Sequence, residues 1–289
     1  MTDHGLLRPR KRFGQHFLRD AQVLRRIVAA IAPRPGQRLV EIGPGRGALT
    51  DLLLDGGAEL VAIEIDRDLA ALLRARYSGR PDFTLIEGDA LHFDYRQLAG
   101  VGPPLRLVGN LPYNLSTPLL FALLEHRQVI ADMAFMLQKE VVERLAATAG
   151  TKSYGRLSVM VQYHCQVENL FPVPPSAFLP PPKVDSAVVR LIPRTAPQPA
   201  ALDLDHFAQL VSRCFQQRRK TLRNSLKSWQ PDTALDGLPV PAGARPDTLS
   251  VADFVALSNH LLRSGAGAEG IEPATVPAGE NADGLVRGR

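Results

Sequence analysis

Five short apolar runs alternate with longer helical patterns between residues 38 and 140, and this alternation constrains the fold more than any other feature of the sequence. Continuous apolar strands separated by helices are typical of a parallel sheet that helices cover on both faces. Ligands of such sheets bind at the carboxyl ends of the strands, so we expect functional residues in the loops that follow them. The apolar runs are RLVEI (38–42), LVAIEI (60–65), FTLIEG (83–88), LRLVGN (105–110) and MAFML (133–137), and the intervening helical patterns are ALTDLLL, DLAALLRARY and PLLFALLE.

The whole chain predicts an α/β domain over residues 1–195, a helical domain over 200–264 and a disordered tail over 265–289. The boundary falls in RTAPQPAA (194–201), which is a plausible linker. After it the pattern becomes helical over 205–229 and again over 250–264. The tail lacks aromatic residues and is rich in Gly, Ala, Pro and Glu, which disfavours a packed core.

Five further segments of the first domain carry patterns of their own. Residues 1–12 are polar and basic and predict a loose arm, whereas residues 20–32 have helical spacing and end at Pro33. KEVVERLAATA (139–149) predicts another helix, and YGRLSVMVQYHCQVENLFPV (154–173) predicts one or two strands. The segment 173–193 contains too many prolines for a helix and ends in a predicted strand, SAVVRLI.

Composition limits the class of protein and of partner. The chain has 34 basic and 29 acidic residues, a net charge of +5 and a sequence pI near 9.5, which permits a polyanionic partner. The two cysteines, Cys165 and Cys214, cannot form a disulfide scaffold and lie in no metal-ligand spacing, so we expect reduced thiols and no metal. No secretory signal and no apolar run of about 20 residues is present, so we expect a cytoplasmic protein without a membrane segment. Nothing in the sequence demands a dimer, and we expect a monomer.

A glycine-rich loop follows the first predicted strand, with the sequence Gly43-Pro44-Gly45-Arg46-Gly47. Glycines allow a tight strand-to-helix turn and let a ligand approach the backbone. The last glycine comes one position too early for a dinucleotide-binding fingerprint, and Pro44 has no N–H to offer a pyrophosphate. The loop therefore favours a nucleoside-type cofactor without phosphates, although a tight turn that binds nothing would need the same glycines.

Acidic residues follow the second and third strands. Glu64 lies 21 positions after Gly43, the spacing at which a carboxylate binds ribose hydroxyls in such folds, and a solvated acid is the alternative. Asp66 is better interpreted as the cap of a helix that starts near Asp68. Asp89 can accept a hydrogen bond from the exocyclic amine of an adenine, and a turn or cap aspartate is nearly as common.

The fourth strand ends in Asn110-Leu111-Pro112-Tyr113, the most informative segment. An amide oxygen and a backbone carbonyl can accept the two hydrogens of a planar amino group, while the aromatic ring stacks on the base that bears it. Such an amine is a poor nucleophile because its lone pair is delocalised, and two acceptors that draw its hydrogens out of plane expose that lone pair. The enzyme then supplies orientation and electrostatics, and the cofactor brings the reactive carbon. An ordinary Asn-x-Pro turn is the alternative.

Together these strand ends resemble S-adenosylmethionine-dependent methyltransferases that act on exocyclic amines and, more narrowly, the ribosomal RNA adenine dimethyltransferase family. The resemblance covers residues 8–262 and favours the branch that dimethylates two adjacent adenines in the 3′-terminal hairpin of 16S rRNA. It implies a Rossmann-like α/β methyltransferase sheet with a smaller all-helical C-terminal domain. The motifs that carry it are FGQHFL (13–18), the glycine motif (41–50), EID (64–66), GDA (88–90), NLPYN (110–114), FMLQKE (135–140), YGRLS (154–158), the Phe178–Ser186 segment and RRKTLRN (218–224).

The resemblance implies roles for individual residues. The residues implied at the S-adenosylmethionine site are His16, Leu18, Gly43, Glu64, Asp89 and Asn110, with Gly45 shaping the loop. Asn110, Leu111 (through its carbonyl) and Tyr113 would hold the target adenine. Phe178 would supply the opposite stacking face, with core packing as its alternative. Asn114 and Ser116 are better interpreted as a turn and a helix cap than as catalysts.

A basic segment between Phe207 and Gln230 contains six cationic residues and no acidic one. A solvated helix face usually has mixed charge, so this segment predicts phosphate contacts and RNA binding. A second cationic patch occupies residues 8–12. The segment's cationic residues are Arg213, Arg218, Arg219, Lys220, Arg223 and Lys227, and those of the second patch are Arg8, Arg10, Lys11 and Arg12.

The resemblance therefore implies an enzyme that methylates adenine N6 in 16S rRNA during small-subunit biogenesis, and the lack of metal-ligand spacing predicts that it needs no metal. One alternative is a 23S rRNA adenine N6-methyltransferase, against which the match across the C-terminal region argues. A second is a non-catalytic RNA-binding assembly factor, against which the complete set of strand-end motifs argues. A nicotinamide dehydrogenase is a third, and the shortened glycine spacing disfavours it.

Overall fold

The computed structural model describes residues 16–100, 102–197, 199–227 and 237–264. The basic arm at 1–12 and the tail at 265–289 lie outside the described residues, as do Arg8, Arg10, Lys11 and Arg12.

A seven-stranded mixed sheet forms the centre of the α/β region, in the order β4-β3-β2-β5-β6-β9-β7. The first five strands in this order run parallel, and β9 and β7 pair antiparallel beyond β6. A separate two-stranded ladder joins β1 and β8. The strands are β1 (Phe17–Leu18), β2 (Arg38–Ile42), β3 (Glu59–Glu64), β4 (Phe83–Glu87), β5 (Leu105–Asn110), β6 (Ile130–Gln138), β7 (Cys165–Val173), β8 (Phe178–Leu179) and β9 (Ser186–Pro193).

Ten helices are described. They are α1 (Ala21–Ile31), α2 (Ala48–Asp55), α3 (Arg67–Arg76), α4 (Arg96–Ala99), α5 (Ser116–Glu125), α6 (Lys139–Leu145), α7 (Arg156–His164), α8 (Leu204–Gln216), α9 (Leu222–Leu226) and α10 (Val251–Arg263). None of these helices is long and apolar enough to cross a membrane.

The five predicted parallel strands are confirmed, and β2 and β5 have the predicted bounds. Asp66 caps α3 as predicted, since its side chain accepts from the N–H of Asp68 at 3.1 Å. Helix α1 ends at Ile31, where Ala32 has φ of 49° just before Pro33. Ser116 begins α5 and its hydroxyl donates to the Pro112 carbonyl at 2.9 Å, although no side-chain cap precedes it.

Two secondary-structure predictions were wrong. Residues 156–164, predicted as strand, form helix α7. The two sides of this helix are buried in different clusters, with Val161 in the main core and Met160 against the C-terminal helices. Burial on both sides removes the amphipathic period that identifies a helix. The predicted helical run 205–229 stops at Gln216 and restarts at Leu222, so Arg218, Arg219 and Lys220 lie in the connecting turn.

The chain order creates a switch point in the middle of the sheet. From β2 the chain builds outward through β3 and β4, then returns to the other side of β2 for β5 and β6. The carboxyl ends of β2 and β5 thus lie side by side, with their loops diverging. Gly109 permits this approach, because a Cβ there would lie 2.4 Å from the carbonyl oxygen of Ile42.

Three buried clusters hold the fold together. Two cover the faces of the sheet. The third joins α7 to the C-terminal helices, with Tyr163 packing on Phe207 at 4.7 Å between ring centroids. The C-terminal helices therefore share a core with a segment that precedes the 194–201 connection.

Candidate active site at the switch point of the sheet

A cavity opens at the carboxyl edge of the sheet, above β2, β3, β4 and β5. Its lining contains no lysine or arginine among the described residues, and apolar side chains such as Ile65 and Leu91 form much of its wall. Eight residues predicted from the sequence line this one cavity: His16, Gly43, Gly45, Glu64, Asp89, Asn110, Leu111 and Tyr113.

The glycine loop adopts backbone that favours glycine, with φ of 66° at Gly43, 60° at Gly45 and 81° at Gly47. Its N–H groups bind within the protein: Gly45 donates to Glu64 Oε2 at 3.2 Å and Gly47 to the Pro44 carbonyl at 2.9 Å. A loop whose glycine amides are occupied in this way offers few N–H groups to a pyrophosphate. The loop supports the prediction of a nucleoside-type ligand.

Glu64 ends β3 with a buried carboxylate, 4% exposed. Besides the Gly45 bond, its Oε1 accepts from the Asp66 N–H at 2.9 Å. Burial raises its pKa, and these backbone bonds partly oppose the rise. A carboxylate accepts about four hydrogen bonds, so two bonds to the protein leave capacity for the hydroxyls of a ribose.

A second cavity adjoins the first and shares Gly43, Gly45 and Asn110 with it. Glu41, which the sequence reasoning did not select, is a buried acid that lines this adjoining cavity. It accepts from the Thr50 hydroxyl at 2.6 Å. Burial raises its pKa to about 7, and the charges of Glu64 and Asp51 add to the rise. The available signal was an acid inside the apolar run RLVEI, directly before the glycine loop.

Asp89 lies in the turn after β4 and makes two local bonds. Its Oδ1 accepts from the Leu91 N–H at 2.9 Å, and its Oδ2 lies 3.0 Å from His92 Nδ1. The turn role and the position on the cavity wall coexist, because the carboxylate has lone pairs beyond these two bonds.

Asn110 is the last residue of β5 and its amide has a defined orientation. The Nδ2 group donates to the His16 carbonyl at 3.0 Å, and a carbonyl can only accept, so Oδ1 is the remaining acceptor. Leu111 follows with its N–H bonded to the Met136 carbonyl at 3.2 Å, which fixes the end of the strand. The amide oxygen and the next backbone carbonyl therefore follow each other at the cavity.

Tyr113 is held at both its ring and its hydroxyl. The hydroxyl lies 2.7 Å from Oγ of Ser186, a fully buried residue that the sequence reasoning did not select. Burial raises the pKa of Tyr113, so the phenol stays neutral. The His16 ring stacks on the tyrosine at 5.7 Å between centroids and 26° between planes.

Two predicted residues do not line this cavity. Leu18 lies in β1 opposite Phe178 of β8 and lines the adjoining cavity, which shares Gly43, Gly45 and Asn110 with the first. Phe178 is 1% exposed and packs in the core, so it occupies the position described by its core-packing alternative.

The basic segment is exposed at four of its predicted RNA-binding residues, Arg219, Lys220, Arg223 and Lys227. Arg218 is half-buried and bonds within the protein, 3.4 Å from an Asp247 carboxylate oxygen and 3.2 Å from the Thr151 carbonyl. The exposed four therefore remain the candidates for phosphate contact.

The cavity suits S-adenosylmethionine. It has a buried acid at the end of β3, where the sequence predicts a ribose contact, an aspartate after β4, apolar walls, and no lysine or arginine among the described residues of its lining. Among the described residues no cluster could hold a metal ion, and both cysteines are buried and free.

Comparison with known proteins agrees with this geometry. Two curated relatives carry the name ribosomal RNA small subunit methyltransferase A. The one from Chromohalobacter salexigens is 58% identical over 259 residues, 88% of this chain and 92% of the relative. The one from Pseudomonas aeruginosa is 57% identical over 254 residues, 88% and 95% of the two chains.

Solved structures confirm the predicted Rossmann-like methyltransferase fold. A dimethyladenosine transferase from Plasmodium falciparum aligns with a TM-score of 0.72 at 29% identity and covers 86% of this chain and 98% of its own. The 23S rRNA methyltransferase ErmE aligns with a TM-score of 0.65 at 30% identity, covering 85% and 99%. A family model described as Ribosomal RNA adenine dimethylase matches residues 7–262. The chain belongs to the ribosomal RNA adenine dimethylase family.

Proposed function

We propose that the protein transfers methyl groups from S-adenosylmethionine to N6 of two adjacent adenines in the 3′-terminal hairpin of 16S rRNA. The observation that carries the proposal is the cavity that joins the Asn110–Tyr113 segment to Glu64, Asp89 and the glycine loop. The names of the relatives at 57–58% identity support the small-subunit substrate.

The cofactor supplies an electrophilic methyl group when bound. Glu64 accepts from the ribose hydroxyls and Asp89 from the adenine amine, while Gly43 lets the ligand approach the backbone. Leu18 and the main chain at His16 close the side formed by the N-terminal segment, and Gly45 shapes the loop beneath Phe17. The glycine amides of this loop already bond within the protein, so binding rests mainly on carboxylates and apolar contact.

The target adenine is held by acceptors and a ring. Asn110 Oδ1 and the Leu111 carbonyl accept the two N6 hydrogens, and Tyr113 stacks on the base. These acceptors expose the nitrogen lone pair, and no proton is removed before attack. The N–C bond would form as the methyl–sulfur bond breaks to leave a neutral thioether, and the N6 proton, acidic once the nitrogen is cationic, would pass to water. Phe178 is proposed as a second stacking face, which requires it to move from its buried position.

RNA binding is assigned to the basic segment. Arg219, Lys220, Arg223 and Lys227 present exposed cations on and beside α9, and Arg218 lies beside them at the Asp247 pair. Phosphate contacts of this kind supply affinity that falls steeply with salt. We further propose that the protein acts in the cytoplasm as a monomer, without metal or membrane.

Transfer of labelled methyl to small subunits that lack the modification, and in parallel to unmodified 23S rRNA, tests the proposal. We expect incorporation at two adjacent adenines near the 3′ end of 16S rRNA. Incorporation into 23S rRNA alone would support the alternative methyltransferase. Folded protein that binds subunits and incorporates no label would support the assembly factor.

A further inference from the structure

His16 contacts two of the groups that hold the target adenine. Its backbone carbonyl accepts from Asn110 Nδ2 at 3.0 Å, and its imidazole stacks on the ring of Tyr113. A residue expected only at the cofactor would need neither contact. The arrangement connects the N-terminal segment to the acceptor end of the site.

The imidazole is itself anchored to a third element. Nδ1 lies 2.8 Å from the carbonyl oxygen of Pro180, in the turn after β8. Because a carbonyl only accepts, Nδ1 carries the proton in this bond. The ring is therefore fixed at one edge by Pro180 and at one face by Tyr113.

The hydrogen bond between His16 and Pro180 lies directly beyond the end of the β1–β8 ladder. The β1–β8 ladder pairs Phe17 with Leu179 and Leu18 with Phe178, and His16 lies just outside it. Phe17 packs on the glycine loop, 3.2 Å from the place of a Cβ on Gly45, with the Arg46 guanidinium 4.6 Å from its ring centroid. The hydrogen bond from the His16 side chain to Pro180 fixes the residue just before the ladder, and the carbonyl of that residue orients the Asn110 amide.

We propose that His16 is a positioning residue for the methyl-accepting adenine. Its imidazole, held by Pro180, places the carbonyl that orients the Asn110 amide and supports the Tyr113 ring. The inference rests on the proposed function. It differs from a cofactor contact because it predicts a loss in turnover at saturating cofactor, since misplacing a reacting group by about 1 Å can slow a reaction about a hundredfold.

Three substitutions at His16 separate the donor from the ring. Asparagine places an N–H near the position of imidazole Nδ1, whereas glutamine places its N–H near the position of Nε2, and leucine has no donor. Full-length protein is assayed with unmodified small subunits, and the S-adenosylmethionine Kd is measured by calorimetry. We expect kcat at saturating cofactor to fall about tenfold in H16Q and H16L and less than threefold in H16N, with each Kd within about threefold of the unsubstituted protein.

The Kd also reports folding, since an unfolded variant does not bind the cofactor. A Kd raised more than about tenfold in H16Q or H16L, or activity restored by excess cofactor, would assign His16 to cofactor binding and overturn the proposal. Equal kcat in all variants, or equal loss in H16N and H16L, would overturn it too. An unsubstituted protein without methyl transfer would instead refute the proposed function.

Discussion

Buried carboxylates lie at both edges of the central sheet, and their surroundings are opposite. At the amino edge, Asp132 is bonded by Arg106 (2.7 and 3.0 Å) and by Arg190 (3.0 and 2.7 Å). Burial would raise its pKa, but the bonds and charges of the two guanidinium groups outweigh burial and lower it. At the carboxyl edge, burial raises the pKa of Glu41 and Glu64, and their bonds come from a hydroxyl and backbone N–H groups.

The opposite surroundings of these carboxylates indicate a structural role at the amino edge and a ligand-binding role at the carboxyl edge. Asp132 has its charge compensated within the fold: Arg106 also bonds Gln37 Oε1 at 3.0 Å and the Ile31 carbonyl at 2.7 Å, so the cluster joins α1 to three strands. Acids with raised pKa beside a cavity keep interaction capacity for a ligand, and such groups concentrate at functional sites. Substitutions at the two edges should therefore affect different measurements.

The largest effect is expected at the carboxyl edge, from Asn110→Ala. Removing the amide acceptor should lower kcat about a thousandfold, or about 4 kcal/mol of transition-state stabilisation, with little change in thermal stability. Labelled methyl transfer measures it. Asn114→Ala is the matched control, because Asn114 is exposed in the same turn and does not line the cavity. Equal activity in the two variants would contradict the assignment.

At the amino edge, Asp132→Asn should lower the free energy of unfolding by about 3 kcal/mol, because two partly buried guanidinium groups lose their counter-charge. The S-adenosylmethionine Kd should stay unchanged where the variant is folded. Denaturant unfolding gives the first quantity and calorimetry the second. Asp82→Asn, in a surface pair with Arg80, should change stability little. A stable Asp132→Asn with impaired binding would reverse the contrast between the edges.

Glu41 should make the free energy of unfolding depend on pH, which Asp132 should not do in the same pH range. Its folded pKa of about 7 lies above the ordinary value of 4.5, so the folded state binds the proton more tightly than the unfolded state. Stability should therefore fall by about 3 kcal/mol as pH rises from about 4.5 to about 7, and level off above that. Comparing unfolding of the protein and of Glu41→Gln across this window isolates the contribution, which the glutamine variant should lack.

The exposed Glu59→Gln should keep the full pH dependence. If Glu41→Gln kept the full pH dependence as well, the proton would not be bound at Glu41, and the raised pKa could not be assigned to this residue.

Sequence patterns predict the parts of this molecule that depend on local order. The apolar runs located the five parallel strands, and seven predicted residues at their carboxyl ends or in the loops after them line one cavity with His16. The C-terminal side of the sheet was harder: α7 was predicted as strand because its buried sides face two clusters. Helix α8 also stops short of the basic turn, where composition alone did not indicate a break.

Contacts between distant residues had no sequence signal. The bond from Pro180 to His16 spans 164 positions, and no periodicity relates the two. Phe178 is buried and pairs with Leu18 in the β1–β8 ladder. A Phe-x-Pro pattern does not specify this pairing.

The smallest effect concerns another long-range contact, between Ser186 and Tyr113, which are 73 positions apart. Ser186→Ala should lower kcat about tenfold, or about 1.4 kcal/mol, because the tyrosine ring loses the bond that fixes its tilt. Tyr113→Phe removes the other half of the same bond and keeps the ring. If the bond only positions the ring, the double variant should be no worse than either single variant, and a double-mutant cycle measures this coupling. If the kcat losses of the two single variants multiply in the double variant, the two hydroxyls act independently. Ser186 would then be a residue that stabilises the sheet, as Asp132 does, and would not position the ring that stacks on the base.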